Sequence, residues 1–136
     1  MASYSIDHIV SIGPFYKPKL KSAGIRSTTA LLRRAATPKL RKELAQRTSI
    51  EAELILKWAN IADLTRVNGV ASDYAELLLA AGVNTAKDLA RRNPTTLACR
   101  LAEMNGKMHR VELLPQEKRI ERWIRSAKAL PPGIEY

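Results

Sequence analysis

The stretch "GVASDYAELLLAAGVNTAKDLARR" at residues 69–92 decides the fold, because an earlier part of the chain repeats its pattern. Shifted by 58 residues, it aligns with "SIGPFYKPKLKSAGIRSTTALLRR" at residues 11–34. Seven of the 24 aligned pairs are identical, including Tyr16 with Tyr74 and Gly24 with Gly82. We therefore predict two copies of one unit, at residues 1–60 and 61–136, packed pseudo-symmetrically into one globule.

The second copy has the clearer helical pattern. Its apolar residues recur at i, i+3, i+4 and i+7, the spacing of one helix face: Tyr74, Leu77, Leu78 and Ala81. Gly82 follows at the point where a left-handed residue ends a helix. Thr85 is then placed to cap the amide of Asp88, so a further helix is predicted to begin there.

Three other segments carry helix-start signals. "NPTTLACRLA" opens with Asn93 as cap and Pro94 at the first helical position. "TSIE" at residues 48–51 has the form of a capping box and predicts a helix running through Trp58. Pro115 is predicted to start the last helix. Only the short "RVELL" could be a strand, so the predicted fold class is all-α.

The positive charge of the chain is uneven along its length. The formal net charge is +10. Residues 1–48 hold ten Lys and Arg against two acidic residues, whereas residues 49–105 hold six against seven. This excess at one end indicates a polyanionic partner on that side, although a basic surface that only keeps the protein soluble would look the same.

Other classes of function have little support in the sequence. No apolar run reaches about 18 residues, so no membrane span is expected. Cys99 is the single cysteine, which excludes an internal disulfide and favours a reducing, cytoplasmic location. We expect Cys99 to be a small core residue. His8 and His109 are isolated, so we predict no catalytic residue, no metal site, no cofactor and no enzymatic activity.

A family resemblance rests on two segments, "IVSIGPFYKPKL" and "LTRVNGVASDYAELL". Each resembles the helix-hairpin-helix signature, in which two glycines join a short helix to a longer one. The following "AGIRSTTALL" and "AGVNTAKDLA" are similar to the helical domains of RecA-like recombinases and of the bacterial RNA polymerase α subunit. Nearly the whole chain resembles a bacterial domain family of unknown function that carries tandem units of this type.

The resemblance implies a phosphate site at the hairpin, where glycine lets the backbone amides approach a DNA phosphate. Neither hairpin keeps both glycines, since Ser11 and Ala71 each replace one. The first hairpin is followed by lysines, and Pro18 is expected to delay or bend its helix. The second is followed by Asp73 and Glu76, which would repel a phosphate, so we expect it to be structural.

Two functions remain open at this point. The first is sequence-independent binding of nucleic acid, DNA or RNA, through the first hairpin and its basic face. The expected contact residues are Ser11, Ile12, Gly13, Lys17, Lys19, Lys21, Arg26, Arg33 and Arg34. The second is a protein-interaction or scaffold module that takes an acidic protein on the same face. The sequence does not predict an oligomeric state.

Overall fold

The computed structural model describes residues 3–136, and its regular secondary structure is helical. Two 3₁₀ turns (Ile6–His8 and Val10–Ile12) precede eight α-helices. The helices are α1 (Gly13–Ser22), α2 (Thr28–Arg34), α3 (Pro38–Thr48), α4 (Ala52–Leu64), α5 (Ser72–Ala80), α6 (Ala86–Leu89), α7 (Pro94–Met108) and α8 (Glu117–Lys128). Over these residues there is no strand, and β-pairing is limited to one antiparallel bridge between Ser5 and Ser27. The all-α prediction is therefore confirmed.

Helix α4 lies at the centre of the core. All its residues from Trp58 to Leu64 are buried, and all of them except Asn60 and Asp63 are apolar. It packs against α2 and α3 on the amino-terminal side and against α5 on the carboxy-terminal side. Helix α8 packs in turn against α6 and α7. A single hydrophobic cluster runs through both halves.

The two aligned parts of the chain share a tyrosine–tryptophan contact. The rings of Tyr16 and Trp58 lie 5.3 Å apart, and those of Tyr74 and Trp123 also lie 5.3 Å apart, with similar tilts. Both tryptophans are 1% exposed, so both are core residues. Whether the two halves superpose as whole units stays a prediction.

The glycine that ends the first long helix of each half has the expected conformation. Gly24 has φ +87° and Gly82 has φ +94°, in the left-handed region that favours glycine. In each case the next residue bonds back across the turn. The amide of Ile25 donates to the Leu20 carbonyl, and that of Val83 to the Leu78 carbonyl, both at 2.9 Å.

Two of the predicted helix starts are confirmed by their caps. The Thr85 hydroxyl accepts the Asp88 amide at 3.1 Å, at the start of α6. The Asn93 side-chain oxygen accepts the Thr96 amide at 3.0 Å, and Pro94 is the first residue of α7. These signals are local, so the sequence alone was sufficient to place them.

The predicted capping box at residues 48–51 is wrong. Helix α3 continues to Thr48, whose hydroxyl donates to the Leu44 carbonyl one turn back at 2.7 Å. Ser49 then turns the chain with φ +59°, and α4 begins at Ala52. The turn at Ser49 allows Ile50, 2% exposed, to enter the core between the two helices.

Three smaller expectations also need correction. The last helix begins at Glu117, two residues after Pro115. Cys99 is exposed because it lies on the far side of α7 from its buried residues Leu97 and Leu101. Pro18 does not delay the start of its helix, since α1 runs from Gly13 through Pro18, and a bend at Pro18 stays a prediction.

A buried ion pair joins α4, α6 and the carboxy-terminal segment. One oxygen of the Asp63 carboxylate lies 2.5 Å from the Arg66 guanidinium, and the other accepts the Ala86 amide at 2.8 Å. Arg66 also donates to the Pro131 carbonyl at 2.6 Å. Gly133 passes so close to the pair that a Cβ there would collide with both side chains. The pair thus ties distant parts of the chain together.

The carboxy-terminal "LPPGIEY" packs on the first half of the molecule. Arg41 is 6% exposed and donates to the Glu135 carbonyl at 2.9 Å. The Glu135 amide donates to the Ala36 carbonyl at 2.7 Å, and the Tyr136 hydroxyl donates to Asn60 at the same distance. Although these residues have no regular secondary structure, backbone and side-chain hydrogen bonds hold the segment in place.

Candidate nucleic-acid interface

The Gly13 turn, residues 10–14, joins the second 3₁₀ turn to α1. Gly13 has φ +77° and ψ +166°, a backbone conformation that is essentially limited to glycine. Its amide is bonded to the Val10 carbonyl, and a Cβ placed there would meet no atom within 4 Å. The glycine is therefore required by backbone conformation, and the space in front of it is open.

The start of α1 has no side-chain cap. Pro14 lacks an amide hydrogen, so the Phe15 amide is the first donor of the helix with no partner inside it. Ile12 is 2% exposed and can contribute only its backbone to an external ligand. The Ser11 hydroxyl is buried without a hydrogen-bond partner, so it points into the protein and away from solvent.

Lys17 and Lys21 come together at Asp7. They are four residues apart and so lie on one face of α1. Lys21 forms an ion pair with the Asp7 carboxylate at 3.1 Å, and Lys17 donates to the Asp7 carbonyl at 3.2 Å. The hydrogen bond from Lys21 holds the pKa of the Asp7 carboxyl below its usual value. The pair is exposed, so its geometry is open to exchange with solvent and anions.

Lys19 lies on the other side of α1. At 100° per residue it is about 200° around the helix from Lys17, so the three lysines do not form one row. Its ammonium lies 4.6 Å from the centre of the Phe15 ring, in a cation–π contact. Phe15 and Val10 are each 65% exposed, which leaves two apolar side chains beside the Gly13 turn.

The remaining predicted contact residues lie beyond α1. Arg26 and Arg33 are exposed, and neither has a carboxylate within 4 Å in the part of the chain that the structure describes. Arg34 donates to the Ala23 carbonyl at 2.9 Å, and this hydrogen bond gives a partner to a carbonyl at the end of α1. None of these three arginines thus has a carboxylate partner within residues 3–136, and Arg34 differs in that it is bonded to a backbone carbonyl.

The Gly69 turn, residues 67–71, differs from the first in chemistry. Gly69 has φ +88°, and a Cβ there would lie 3.1 Å from the indole nitrogen of Trp123. The helix that follows carries exposed Asp73 and buried Glu76, whose carboxylate lies 3.9 Å from Arg110. No cation of α5 itself faces the turn, because α5 contains no lysine or arginine.

Sequence reasoning missed two groups of residues. Asp7 was missed because nothing in the local spacing links it to Lys21, 14 residues away. The arginines of α8 were missed as a set, although their spacing of three residues (Arg119, Arg122 and Arg125) is a signal that a helical projection would have found.

Two features are absent from the residues that the structure describes, a cluster of metal-ligand side chains and a membrane-spanning helix. Within residues 3–136, no group of three or more His, Cys, Asp or Glu is arranged to hold a metal ion. In the same range, no helix combines the length and apolar character that crossing a membrane requires.

Comparison with known proteins gives one match. The model of a family described as a domain of unknown function (DUF4332) matches residues 10–130. No curated protein and no solved structure matches the chain.

Proposed function

We propose that this chain, which belongs to the DUF4332 family, binds DNA in a sequence-independent way through the Gly13 turn and the basic residues around it. In this proposal the turn acts as a helix-hairpin-helix-type phosphate contact, and the second hairpin-like turn belongs to a second unit of the same kind. The proposal includes no catalytic step.

The Gly13 turn is the observation that carries the proposal. A glycine-only backbone conformation precedes an uncapped helix, and the approach to Gly13 is open. The partial positive charge of a helix start, together with a free amide at Phe15, attracts an anion. An open approach allows a phosphate group to come within hydrogen-bond distance of the backbone.

The surrounding cations support the same conclusion. Lys17 and Lys21 lie on the face of α1 that meets the first 3₁₀ turn, and Arg26 and Arg33 are exposed. Contacts of this kind go to phosphates and fix position without reading bases. We therefore expect affinity that depends strongly on salt and little on sequence.

Asp7 sets the strength of this interaction. Its carboxylate occupies Lys21 in the free protein, so a DNA phosphate would have to replace it as the ionic partner. Because the pair is exposed and screened by salt, the exchange costs little. Asp7 also repels a phosphate, so it limits affinity even while it holds the lysines in place.

A salt titration tests the proposal. Fluorescence anisotropy of a labelled duplex is measured at two salt concentrations for the parent and for Lys17→Gln/Lys21→Gln. We expect the parent to lose affinity with a log–log slope of about −0.9 for each phosphate neutralised. The variant should bind about tenfold more weakly, with a shallower slope by about one for each lysine that contacts a phosphate.

Lys57→Gln/Lys107→Gln is the matched control, because both lysines are exposed and the net charge changes equally. The control should bind almost as the parent does. Absence of DNA binding at low salt, or equal weakening in the two double variants, would overturn the proposal.

A protein partner is the second candidate, and the exposed Val10 and Phe15 favour it. Two apolar side chains that are each 65% exposed beside a basic face fit an acidic protein with an apolar contact residue. Capture of one defined partner that survives nuclease treatment and is lost in Phe15→Ser would support this candidate. Loss of all capture after nuclease would instead favour DNA.

A further inference from the structure

An open cavity of about 560 Å³ lies between the Gly69 turn and α8, in the half of the chain to which the proposed function assigns no contact. Its walls are formed from two short segments of sequence. The lining residues are Asn68, Gly69, Arg119, Arg122, Trp123, Arg125 and Ser126. Three of the seven are arginines and none is acidic.

The arginines face the cavity because of their spacing on α8. Positions three residues apart advance by 300°, so Arg119, Arg122 and Arg125 follow one side of the helix. Ile120, Ile124 and Ala127 are buried on the other side and anchor α8 to the core, whereas the buried Trp123 lies next to Arg119 and also lines the cavity. The arginine row is therefore held on a rigid, well-packed helix.

The charge of this row is not balanced by the protein. Arg122 and Arg125 are exposed, and within residues 3–136 neither has a carboxylate within 4 Å. Glu121 also lines a smaller neighbouring cavity with Arg125, but it forms no ion pair with that arginine. A cavity with three guanidinium groups and no anion has a strongly positive potential.

Arg119 is fixed in orientation by aromatic contacts. Its guanidinium carbon lies 4.9 Å from the centre of the Tyr74 ring and 5.7 Å from that of Trp123. It also approaches the Tyr74 hydroxyl at 3.4 Å. Such stacking leaves the edge of the guanidinium free to donate, and it reduces the entropy lost when an anion binds.

Trp123 supplies a second and independent observation. Its side chain is 1% exposed, yet its indole N–H has no hydrogen-bond acceptor. The nitrogen points at Gly69, where a Cβ would come within 3.1 Å. An unpaired buried donor at a cavity wall is unfavourable on its own, and a nearby anion would stabilise it.

We propose that this cavity binds a phosphate group. Guanidinium groups match phosphate oxygens with paired hydrogen bonds, so Arg122 and Arg125 would hold the anion and Arg119 would orient it. The partial positive charge of the buried Trp123 indole N–H would add to the electrostatic attraction of the cavity for the anion. The site is separate from the Gly13 turn, and the phosphate belongs either to a nucleic-acid backbone or to a free polyphosphate.

The indole N–H of Trp123 provides the readout. Inorganic tripolyphosphate is titrated into ¹⁵N-labelled protein, and the indole signals of Trp123 and Trp58 are followed by NMR. We expect the Trp123 signal to shift in a saturable way while the Trp58 signal stays fixed. In Arg122→Gln/Arg125→Gln the affinity derived from the Trp123 shift should fall at least tenfold.

Arg100→Gln/Lys107→Gln carries the same change in charge on exposed residues of α7 and should titrate as the parent does. If the Trp123 signal does not shift, or if it shifts equally in the arginine double variant, the proposed phosphate site is rejected. Lys17→Gln/Lys21→Gln should leave the shift unchanged, so failure of the first site and failure of this one are distinguishable.

A short DNA duplex identifies the source of the phosphate. If the duplex shifts Trp123 in the parent and not in the arginine double variant, the cavity binds a nucleic-acid backbone. If only tripolyphosphate does so, the cavity binds a free polyphosphate. Both results support the phosphate site, whereas a lack of response to either ligand rejects it.

Discussion

The Gly13 turn and the Gly69 turn occupy aligned segments of the chain, but each keeps a different glycine. In the first, Gly13 has a positive φ at the start of α1 and is open to solvent. In the second, Gly69 has a positive φ two positions earlier in the alignment, and the chain enters α5 through Ala71 in an extended conformation. Two similar sequences can thus form their turns at different residues.

The charges around the two turns differ in a related way. The Gly13 turn is flanked by cations from its own following helix, and Asp7 engages two of them. The Gly69 turn is followed by an acidic helix, and its neighbouring cations come from α8 instead. Basic residues that directly follow each turn in the sequence therefore include the first cluster but not the second.

The two halves also differ in how they anchor their second helix. The amide of Thr28 donates to a backbone carbonyl, that of Tyr4, at 2.7 Å. The aligned amide of Ala86 donates to the side chain of Asp63, a buried carboxylate paired with Arg66. The second half thus depends on one ionised side chain where the first half uses the main chain.

Asp63→Ala should have the largest effect on stability. It leaves the buried Arg66 without an ionic partner and removes the acceptor of the Ala86 amide, so we expect a loss of about 3–5 kcal/mol in unfolding free energy. Urea denaturation measures this loss. Asp73→Ala, at an exposed position of α5, is the control and should change stability little. A loss below about 1 kcal/mol at Asp63 would show that the buried ion pair is not what anchors the second half.

Gly13→Ala and Gly69→Ala should each cost about 1–3 kcal/mol, because both positions have a positive φ. The two variants should differ at the tryptophans. An alanine at position 69 meets the Trp123 indole and should shift its fluorescence, whereas position 13 has no neighbour within 4 Å. Equal fluorescence changes in both would contradict the difference described between the two turns.

Asp7→Asn should have the smallest effect, a gain of about two- to fivefold in DNA affinity at neutral pH, since it frees Lys21. Because the hydrogen bond from Lys21 lowers the pKa of Asp7, its carboxylate stays ionised, and the pair persists, to a lower pH than an unpaired aspartate would allow. Anisotropy at pH 7 measures the gain. Asp73→Asn is the control and should bind DNA as the parent does. Unchanged affinity in Asp7→Asn would show that Asp7 does not affect DNA binding.

The sequence was sufficient for features that depend on a few neighbouring residues. Caps at Thr85 and Asn93 and the glycine ends at Gly24 and Gly82 follow from local hydrogen bonding and sterics. The capping box at residues 48–51 failed because burial of Ile50 outweighed a valid local signal. Tertiary packing decided between two conformations that the sequence allowed.

The candidate sites were predictable only in part for the same reason. Gly13 and the lysines were found because they are close in sequence to a recognisable turn. The pairing of Lys21 with Asp7, and the cavity between Gly69 and α8, join residues that are far apart in the chain. Composition gives the number of cations but not which of them already have an internal partner.

The ion pair of Asp63 and Arg66 has a consequence for how the chain folds as it is synthesised. One of its partners, the Pro131 carbonyl, is added 65 residues after Arg66, so the buried charges remain incompletely bonded until then. Residues 3–60 can form their helices earlier, but the contacts of Arg41 and Asn60 with Glu135 and Tyr136 come last. The order of synthesis thus makes completion of the first half depend on residues 131–136, which are added later.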